Sequence, residues 1–155
     1  NRTHFEGQLQ SMLELSKVDL VALAGFMRLM TAPFVERWRD RMINIRPSLL
    51  PAFKGLQTHE QALAAGVKVS GCTVHFVRAE MDDGPIVAQA AVPVLPGDTA
   101  DALAARVLAA EHRLYPRALA LVALGQAVVA DAVVGFQGIE DIHFNQGDLL
   151  ISPPL

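Results

Sequence analysis

Residues 42–51 are Met42-Ile43-Asn44-Ile45-Arg46-Pro47-Ser48-Leu49-Leu50-Pro51, a short apolar strand that runs into a loop with two prolines. The amide of Asn44 stands near the end of this strand. Open α/β sheets bind ligands at the carboxyl ends of their strands, so the stretch predicts an active-site loop in an α/β fold. Arg46 conflicts with a role in proton transfer, because a guanidinium group stays protonated, with a pKa above about 12.

The composition excludes several classes of protein. The chain has 155 residues and a net charge of −3, so no basic surface indicates nucleic-acid binding. Its single cysteine, Cys72, cannot form an intrachain disulfide, which favours a reducing cytoplasm. No secretory signal is visible, and no apolar run reaches the roughly 18 residues that a membrane span needs. We therefore expect a cytoplasmic protein without a membrane partner.

Apolar periodicity and turn residues predict the elements around this stretch. Helices are expected over 5–16, 31–39, 58–65, 98–114 and 117–124, and strands over 18–24, 42–45, 71–77 and 86–94. This order predicts an α/β fold with a mostly parallel sheet and at least one antiparallel strand. We expect one catalytic region over 1–125 and a C-terminal tail or hairpin over 126–155. No glycine-rich phosphate-binding motif occurs in the sequence.

Four polar residues near predicted strand ends are candidates for chemistry, and each also has an ordinary structural interpretation. Asn44 could donate hydrogen bonds to an oxyanion or satisfy its own turn. Arg46 could bind a carboxylate or phosphate, or lie on the surface before Pro47. His75 could titrate near neutral pH, or pack in its strand. Asp82 could tune a neighbouring group, or serve the turn that Gly84 and Pro85 indicate.

Other polar residues show no spacing typical of a site. The histidines have no metal-ligand spacing to one another or to Cys72, so a metal centre is not expected. Glu111 falls in the long predicted helix over 98–114, where a solvated face is the ordinary interpretation.

The order of several short motifs carries more information than any single residue. Taken together, they resemble the glycinamide ribonucleotide formyltransferase family. The resemblance extends over about 18–124 and rests on residues 23–30, 44–55, 71–77, 81–86, 104–107 and 111–116.

This resemblance implies a Rossmann-like formyltransferase fold and an activity. The family transfers a formyl group from 10-formyltetrahydrofolate to the amine of glycinamide ribonucleotide in purine biosynthesis, and it requires no metal. The substrates of this chain would then be glycinamide ribonucleotide and the folate, which acts as the formyl-donor cosubstrate.

The resemblance also assigns roles to residues. Asn44 matches the residue that stabilises the formyl oxyanion, Asp82 matches the aspartate that tunes the catalytic histidine, and His75 matches a second histidine of the site. Glu111 matches a contact to the ribonucleotide, and the Leu50–Pro51 bond is expected to be cis. The implied folate-binding residues are Met27, Arg28, Leu29, Met30, Asn44, Ala79, Glu80, Met81 and Asp82.

The family's usual His-Thr-His reads Gln57-Thr58-His59 in this chain. Two other departures from the family pattern lead to a further expectation. Arg46 stands where the family has the histidine that acts as general acid and base. The family's opening strand and its phosphate-binding units would lie before Asn1, so we expect these N-terminal units to be absent. Both departures predict a weak catalyst.

Three alternatives to an active transferase follow from the same residues. Formyltetrahydrofolate hydrolase has a similar core and uses water in place of the amine. Methionyl-tRNA formyltransferase fits less well, because no basic extension is present. A catalytically dead folate-binding or oligomerisation module would explain the loss of the histidine. The apolar strand over 18–24 would present an unpaired edge, which predicts a partner such as a second copy in a homodimer.

Overall fold

The computed structural model of the protein describes residues 1–26, 28–139 and 150–153. Its helices are α1 (Arg2–Leu15), α2 (Ala32–Arg37), α3 (Thr58–Ala65) and α4 (Ala100–Ala123). Its strands are β1 (Val21–Leu23), β2 (Met42–Arg46), β3 (Val69–Phe76), β4 (Ile86–Pro93), β5 (Ala127–Ala130), β6 (Val133–Phe136) and β7 (Leu150–Ser152). Within these ranges, no helix is long and apolar enough to cross a membrane.

One sheet of five strands organises the described residues, in the order β1-β2-β3-β4-β7. The predicted α/β fold and the presence of antiparallel strands are confirmed. The balance of directions differs from the prediction, since β1 and β2 are parallel while the pairs β2–β3, β3–β4 and β4–β7 are antiparallel. The connection between Phe76 and Ile86 is too short for the crossover that a parallel pair requires.

Helices cover both faces of this sheet. On one face, α4 packs through Leu103, Val107 and Leu114 against a core that includes Val74 and Ala90 of the central strands. The other face, around β1 and β2, is covered by α1 and α2. This second core comprises Phe34, Val35, Trp38 and Met42, with Leu9 and Leu13 of α1 packed against it.

The long C-terminal helix is continuous, whereas the sequence predicted two pieces separated by Pro116. α4 runs from Ala100 to Ala123 with Pro116 inside it. A proline removes one helical hydrogen bond and usually kinks or ends a helix. Tertiary packing overrides that cost here, because one buried apolar stripe continues past the proline. The stripe consists of Leu103, Val107, Ala110, Leu114, Ala118 and Leu121.

Two short strands lie in the region over which a C-terminal tail or hairpin is expected. Strands β5 and β6 pair antiparallel, and Ala127 and Val134 reach the main core. Residues 140–149 and 154–155 lie outside the described ranges, and the boundary at 125 stays a prediction. At the other edge of the sheet, among the described residues, β1 pairs only with β2. The expected homodimer also stays a prediction.

We predict that Gly71→Ala destabilises the fold strongly, by about 3 kcal/mol or more. A Cβ at position 71 would lie 1.9 Å from the carbonyl oxygen of Ala90 and 2.9 Å from Leu49. Urea unfolding measures the change. The control is Gly7→Ala in α1, where nothing lies within 4 Å, and there we expect a gain of about 0.5–1 kcal/mol from helix propensity. Equal stabilities of the two variants would contradict this account of the packing.

Candidate active site

Strand pairing gathers the polar side chains of β2 and β3. In the antiparallel register, Asn44 lies opposite His75 and Arg46 lies opposite Thr73. Directly opposed residues project from the same face of a sheet. Alternation places Ile43 and Val74 on the other face, where both are fully buried in the core. The two strands therefore present one polar face beside one apolar face.

The loop after β2 is anchored to the sheet by Thr73. The hydroxyl of Thr73 donates to the carbonyl oxygen of Ser48 at 2.7 Å and accepts the backbone N–H of Leu50 at 3.0 Å. Further along, the hydroxyl of Thr58 donates to the carbonyl oxygen of Pro47 at 2.9 Å. The Leu50–Pro51 bond is cis, as the resemblance implied. These contacts hold the loop where it borders Asn44 and Arg46.

An ion pair between Arg46 and Asp82 closes the polar face. Nε of Arg46 lies 3.3 Å from Oδ2 of Asp82, a charge contact without the alignment of a hydrogen bond, and the side chains are only 14% and 7% exposed. The backbone N–H of Gly55 donates to the same carboxylate oxygen at 3.1 Å. An Nη2 proton of Arg46 is donated to the carbonyl oxygen of Gly55. Both peptide groups of Gly55 are thus held by the pair.

His75 is buried as a neutral imidazole beside Asn44. Its Nδ1 lies 2.9 Å from the carbonyl oxygen of Phe76, and this contact requires a proton on Nδ1. Nε2 is then the acceptor, and it has no hydrogen-bond partner. Burial lowers the pKa of His75, and the charges of Arg46 and Arg78 lower it further, against opposite effects of the Phe76 carbonyl and Asp82.

Two clefts meet at this polar face. The larger has a volume of about 630 Å³ and the smaller about 340 Å³. The residues that line both clefts are Phe26, Asn44, Arg46, Gly55 and Leu56. A ligand in one cleft can therefore meet a ligand in the other at Asn44 and Arg46. This arrangement suits the transfer of a small group between two molecules.

The smaller cleft brings together nearly all the residues that the sequence predicted for folate binding. Its lining includes Arg28, Leu29, Met30, Asn44, Ala79, Glu80, Met81 and Asp82, together with Arg46 and His75. Met27 lies outside the described residues. Their roles stay predictions, although their common position in one cleft is a fact of the structure.

Glu111 lines the larger cleft, whose lining also includes Asn44 of the predicted folate residues. Burial raises the pKa of its carboxyl group, and the positive charges of His112 and Arg46 oppose that effect. A half-buried carboxyl group in the cleft differs from the solvated helix face that its sequence position alone indicated. No group of three potential metal ligands occurs among the residues that the structure describes.

Three residues that shape the clefts were not predicted as site residues from the sequence. Phe26 and Leu56 line both clefts, and Leu56 is 64% exposed. The hydroxyl of Tyr115, in the larger cleft, donates to the carbonyl oxygen of Leu23 at 2.5 Å. Tyr115 belongs to the motif over 111–116, which carried part of the resemblance. An exposed leucine has no periodic signal that would have identified Leu56.

We predict that His75 titrates below its ordinary pKa of 6.5 and carries its proton on Nδ1 at neutral pH. The unfolded chain would then bind this proton at a higher pH than the folded chain. Stability from this residue is complete above pH 6.5 and falls as the pH drops toward the lower folded pKa. ¹⁵N NMR of the imidazole gives the tautomer and the pKa.

The control for the stability measurement is His4→Asn, at an exposed position of α1. His75→Asn should remove part of the loss of stability on acidification, while His4→Asn should keep it. Titration of His75 at or above 6.5, or a proton on Nε2 of the neutral ring, would refute the assigned environment.

A protein-family model and a known relative both match most of this chain. A model of the family described as formyl transferase matches residues 1–119. The human trifunctional purine biosynthetic protein adenosine-3 is 54% identical over 125 residues, which are 81% of this chain and 12% of that protein.

Solved structures show the same similarity. Glycinamide ribonucleotide transformylase 1 from Symbiobacterium toebii has a TM-score of 0.85 at 53% identity, over 88% of this chain and 64% of that one. A formyltetrahydrofolate deformylase from Pseudomonas syringae pv. tomato str. DC3000 is a more distant match. Its TM-score is 0.80 at 28% identity, over 84% of this chain and 44% of that one. The fold that the sequence predicted is thereby confirmed, and the chain spans less than two thirds of each of these three relatives.

Proposed function

Since the chain belongs to the formyl transferase family, we propose that it transfers a formyl group from 10-formyltetrahydrofolate to the amine of glycinamide ribonucleotide, as a step of purine biosynthesis. The observation that carries the proposal is the shared wall of the two clefts, where Asn44 and Arg46 face both. The folate would occupy the smaller cleft and the ribonucleotide the larger one, near Glu111. No metal takes part in this reaction.

Asn44 and Arg46 would stabilise the charge that develops on the formyl oxygen. When the amine attacks the formyl carbon, the carbonyl electron pair moves to the oxygen and an oxyanion forms. The side-chain amide of Asn44 can donate to that oxygen, and the guanidinium of Arg46 adds a fixed positive charge beside it. Removing one such donor typically costs about 10²–10³ in rate.

When the oxyanion collapses, the folate nitrogen leaves with the electron pair of its bond to the formyl carbon. The attacking amine must lose a proton and the leaving nitrogen must gain one, and this proton transfer is the step for which Arg46 is unsuited. Its guanidinium cannot give up a proton at working pH, and its contact with Asp82 occupies the carboxylate that would assist a histidine. The Nε2 of His75 is neutral and has no hydrogen-bond partner, but it is buried, so it is not available to the substrates as a replacement base. We therefore expect transfer to be slow, because loss of general acid and base catalysis costs about 10²–10⁴ in rate.

The remaining expectations accompany this proposal. A cytoplasmic location suits the single buried cysteine, whose thiol pKa burial raises to about 12. A homodimer would give the β1 edge a partner. The predicted folate residues would contact the folate in the smaller cleft, and Glu111 would contact the ribonucleotide in the larger one.

We predict that the protein converts glycinamide ribonucleotide to its formyl derivative slowly, and that Arg46→His raises kcat about 100-fold. A histidine at position 46, next to Asp82, would supply the missing acid–base group. Chromatography of the reaction products separates formylated ribonucleotide from free formate. The control is Arg39→His, an exposed exchange of the same residue types that should leave the rate unchanged.

Each alternative predicts a different outcome of this assay. Formate without formylated ribonucleotide would identify a hydrolase and overturn the transferase. Binding of a folate analogue without either product, in both the unmodified protein and Arg46→His, would identify a dead binding module. A rate typical of an efficient transferase in the unmodified protein would contradict the assigned defect of Arg46.

A further inference from the structure

The loop between β1 and α2 forms one wall of the smaller cleft. It contributes Arg28, Leu29 and Met30 to the lining, and its described residues belong to no helix or strand. A wall without regular secondary structure needs side-chain contacts to keep its shape. Glu6 and Phe5, both from helix α1, supply such contacts.

Glu6 is a buried carboxylate that accepts hydrogen bonds from Thr31, at the end of this loop. The residue is 6% exposed. Oε1 accepts the backbone N–H of Thr31 at 2.7 Å, and Oε2 accepts the hydroxyl of Thr31 at 2.5 Å. Both carboxylate oxygens are thus used on one residue that is 25 positions away in sequence. Hydrogen bonds to a charged group are about twice as strong as those between neutral groups.

Thr31 departs from its usual local role in making this contact. It occupies the N-cap position of α2, where a threonine hydroxyl normally accepts an N–H of the first turn. No such bond is present, and the hydroxyl donates to Glu6 instead. Helix α2 therefore lacks the side-chain cap, and the loop is tethered to α1 instead.

Phe5 adds a second contact to the same loop. The guanidinium carbon of Arg28 lies 4.7 Å from the centre of the Phe5 ring, within the range of cation–π attraction. Helix α1 is itself held to α2, since the indole N–H of Trp38 donates to Gln10 at 2.8 Å. A helix fixed in this way can serve as a rigid support for the loop.

We propose that Glu6 is a positioning residue for the smaller cleft. Through Thr31 it fixes the loop that carries Arg28, Leu29 and Met30, and it thereby sets the affinity of the cleft for the folate. The identity of the ligand rests on the proposed function, whereas the tether itself does not. Glu6 lines a neighbouring depression but not the smaller cleft, so its effect on that cleft passes through the loop.

The test compares Glu6→Ala with Glu6→Gln and Thr31→Val. The ligand is a tetrahydrofolate analogue with carbon in place of the nitrogen that carries the formyl group, and calorimetry gives its Kd. Glu6→Ala should weaken binding about tenfold, since a buried N–H and hydroxyl lose their acceptor. Glu6→Gln should recover most of the affinity, because an amide can accept the N–H and donate to the hydroxyl. Thr31→Val should lie between the two.

A matched control and a second readout separate positioning from general stability. Glu14→Ala removes an exposed carboxylate of the same helix and should change Kd by less than about twofold. In the transfer assay, Glu6→Ala should raise KM for the folate and leave kcat nearly unchanged. Hydrogen exchange should show that the amide of Thr31 loses protection in Glu6→Ala and keeps it in Glu14→Ala.

The outcomes distinguish this inference from the proposed function. An unchanged Kd in a folded Glu6→Ala protein, or unchanged protection of the Thr31 amide, overturns the positioning role. Failure of the unmodified protein to bind the folate analogue overturns the proposed function instead. In that case the exchange of the Thr31 amide still decides whether Glu6 holds the loop. If Glu6→Ala does not fold, Thr31→Val and Glu6→Gln provide the same comparison.

Discussion

The ion pair between Arg46 and Asp82 is the interaction on which the architecture of the site depends. It joins the end of β2 to the turn before β4, and Gly55 of the intervening loop is held between the two charges. With side chains 14% and 7% exposed, both charged groups are largely shielded from water. Removing one partner of a buried pair typically costs about 3–5 kcal/mol, so the two loops and the strand end form one unit.

The same pair determines which chemistry the site supports. A charge that never leaves Arg46 can stabilise an oxyanion throughout the reaction, but it cannot carry a proton. The carboxylate of Asp82 pairs with the guanidinium of Arg46 and accepts the backbone N–H of Gly55. The site therefore combines electrostatic stabilisation with poor proton transfer. His75 does not compensate, because its Nδ1 is bonded to the carbonyl oxygen of Phe76 and its Nε2 is buried.

Local patterns predicted much of the fold but little of its tertiary detail. Helix α3 occupies the predicted range, because Thr58 begins it and Gly66 in the left-handed conformation ends it. The continuity of α4 through Pro116 was missed, since a buried stripe outweighs a local breaker. The strand directions were also misjudged, because connection length decides them more than the order of elements does.

In the candidate site, too, some features could be predicted from the sequence and others depend on tertiary contacts. The resemblance implied that Asn44, Arg46, His75 and Asp82 belong to one site, and all four line the smaller cleft. Strand register brings the first three together, whereas Asp82 lies in the turn before β4 and contacts Arg46 from there. The hydrogen bonds from Thr31 to Glu6 could not be predicted from the sequence, because the two residues are 25 positions apart and each has an ordinary local role. The contacts of Gly55 with Arg46 and Asp82 could not be predicted from the sequence either, since they involve backbone groups and not a side chain.

A double-mutant cycle on Arg46 and Asp82 examines the ion pair itself. Urea unfolding of the unmodified protein, Arg46→Met, Asp82→Asn and the double variant gives the coupling free energy between the two side chains. If the pair holds the site together, the double variant should be more stable than the two separate losses predict, with a coupling of about 2 kcal/mol. Additive losses, with coupling near zero, would show that the two charges do not support each other and would contradict the account.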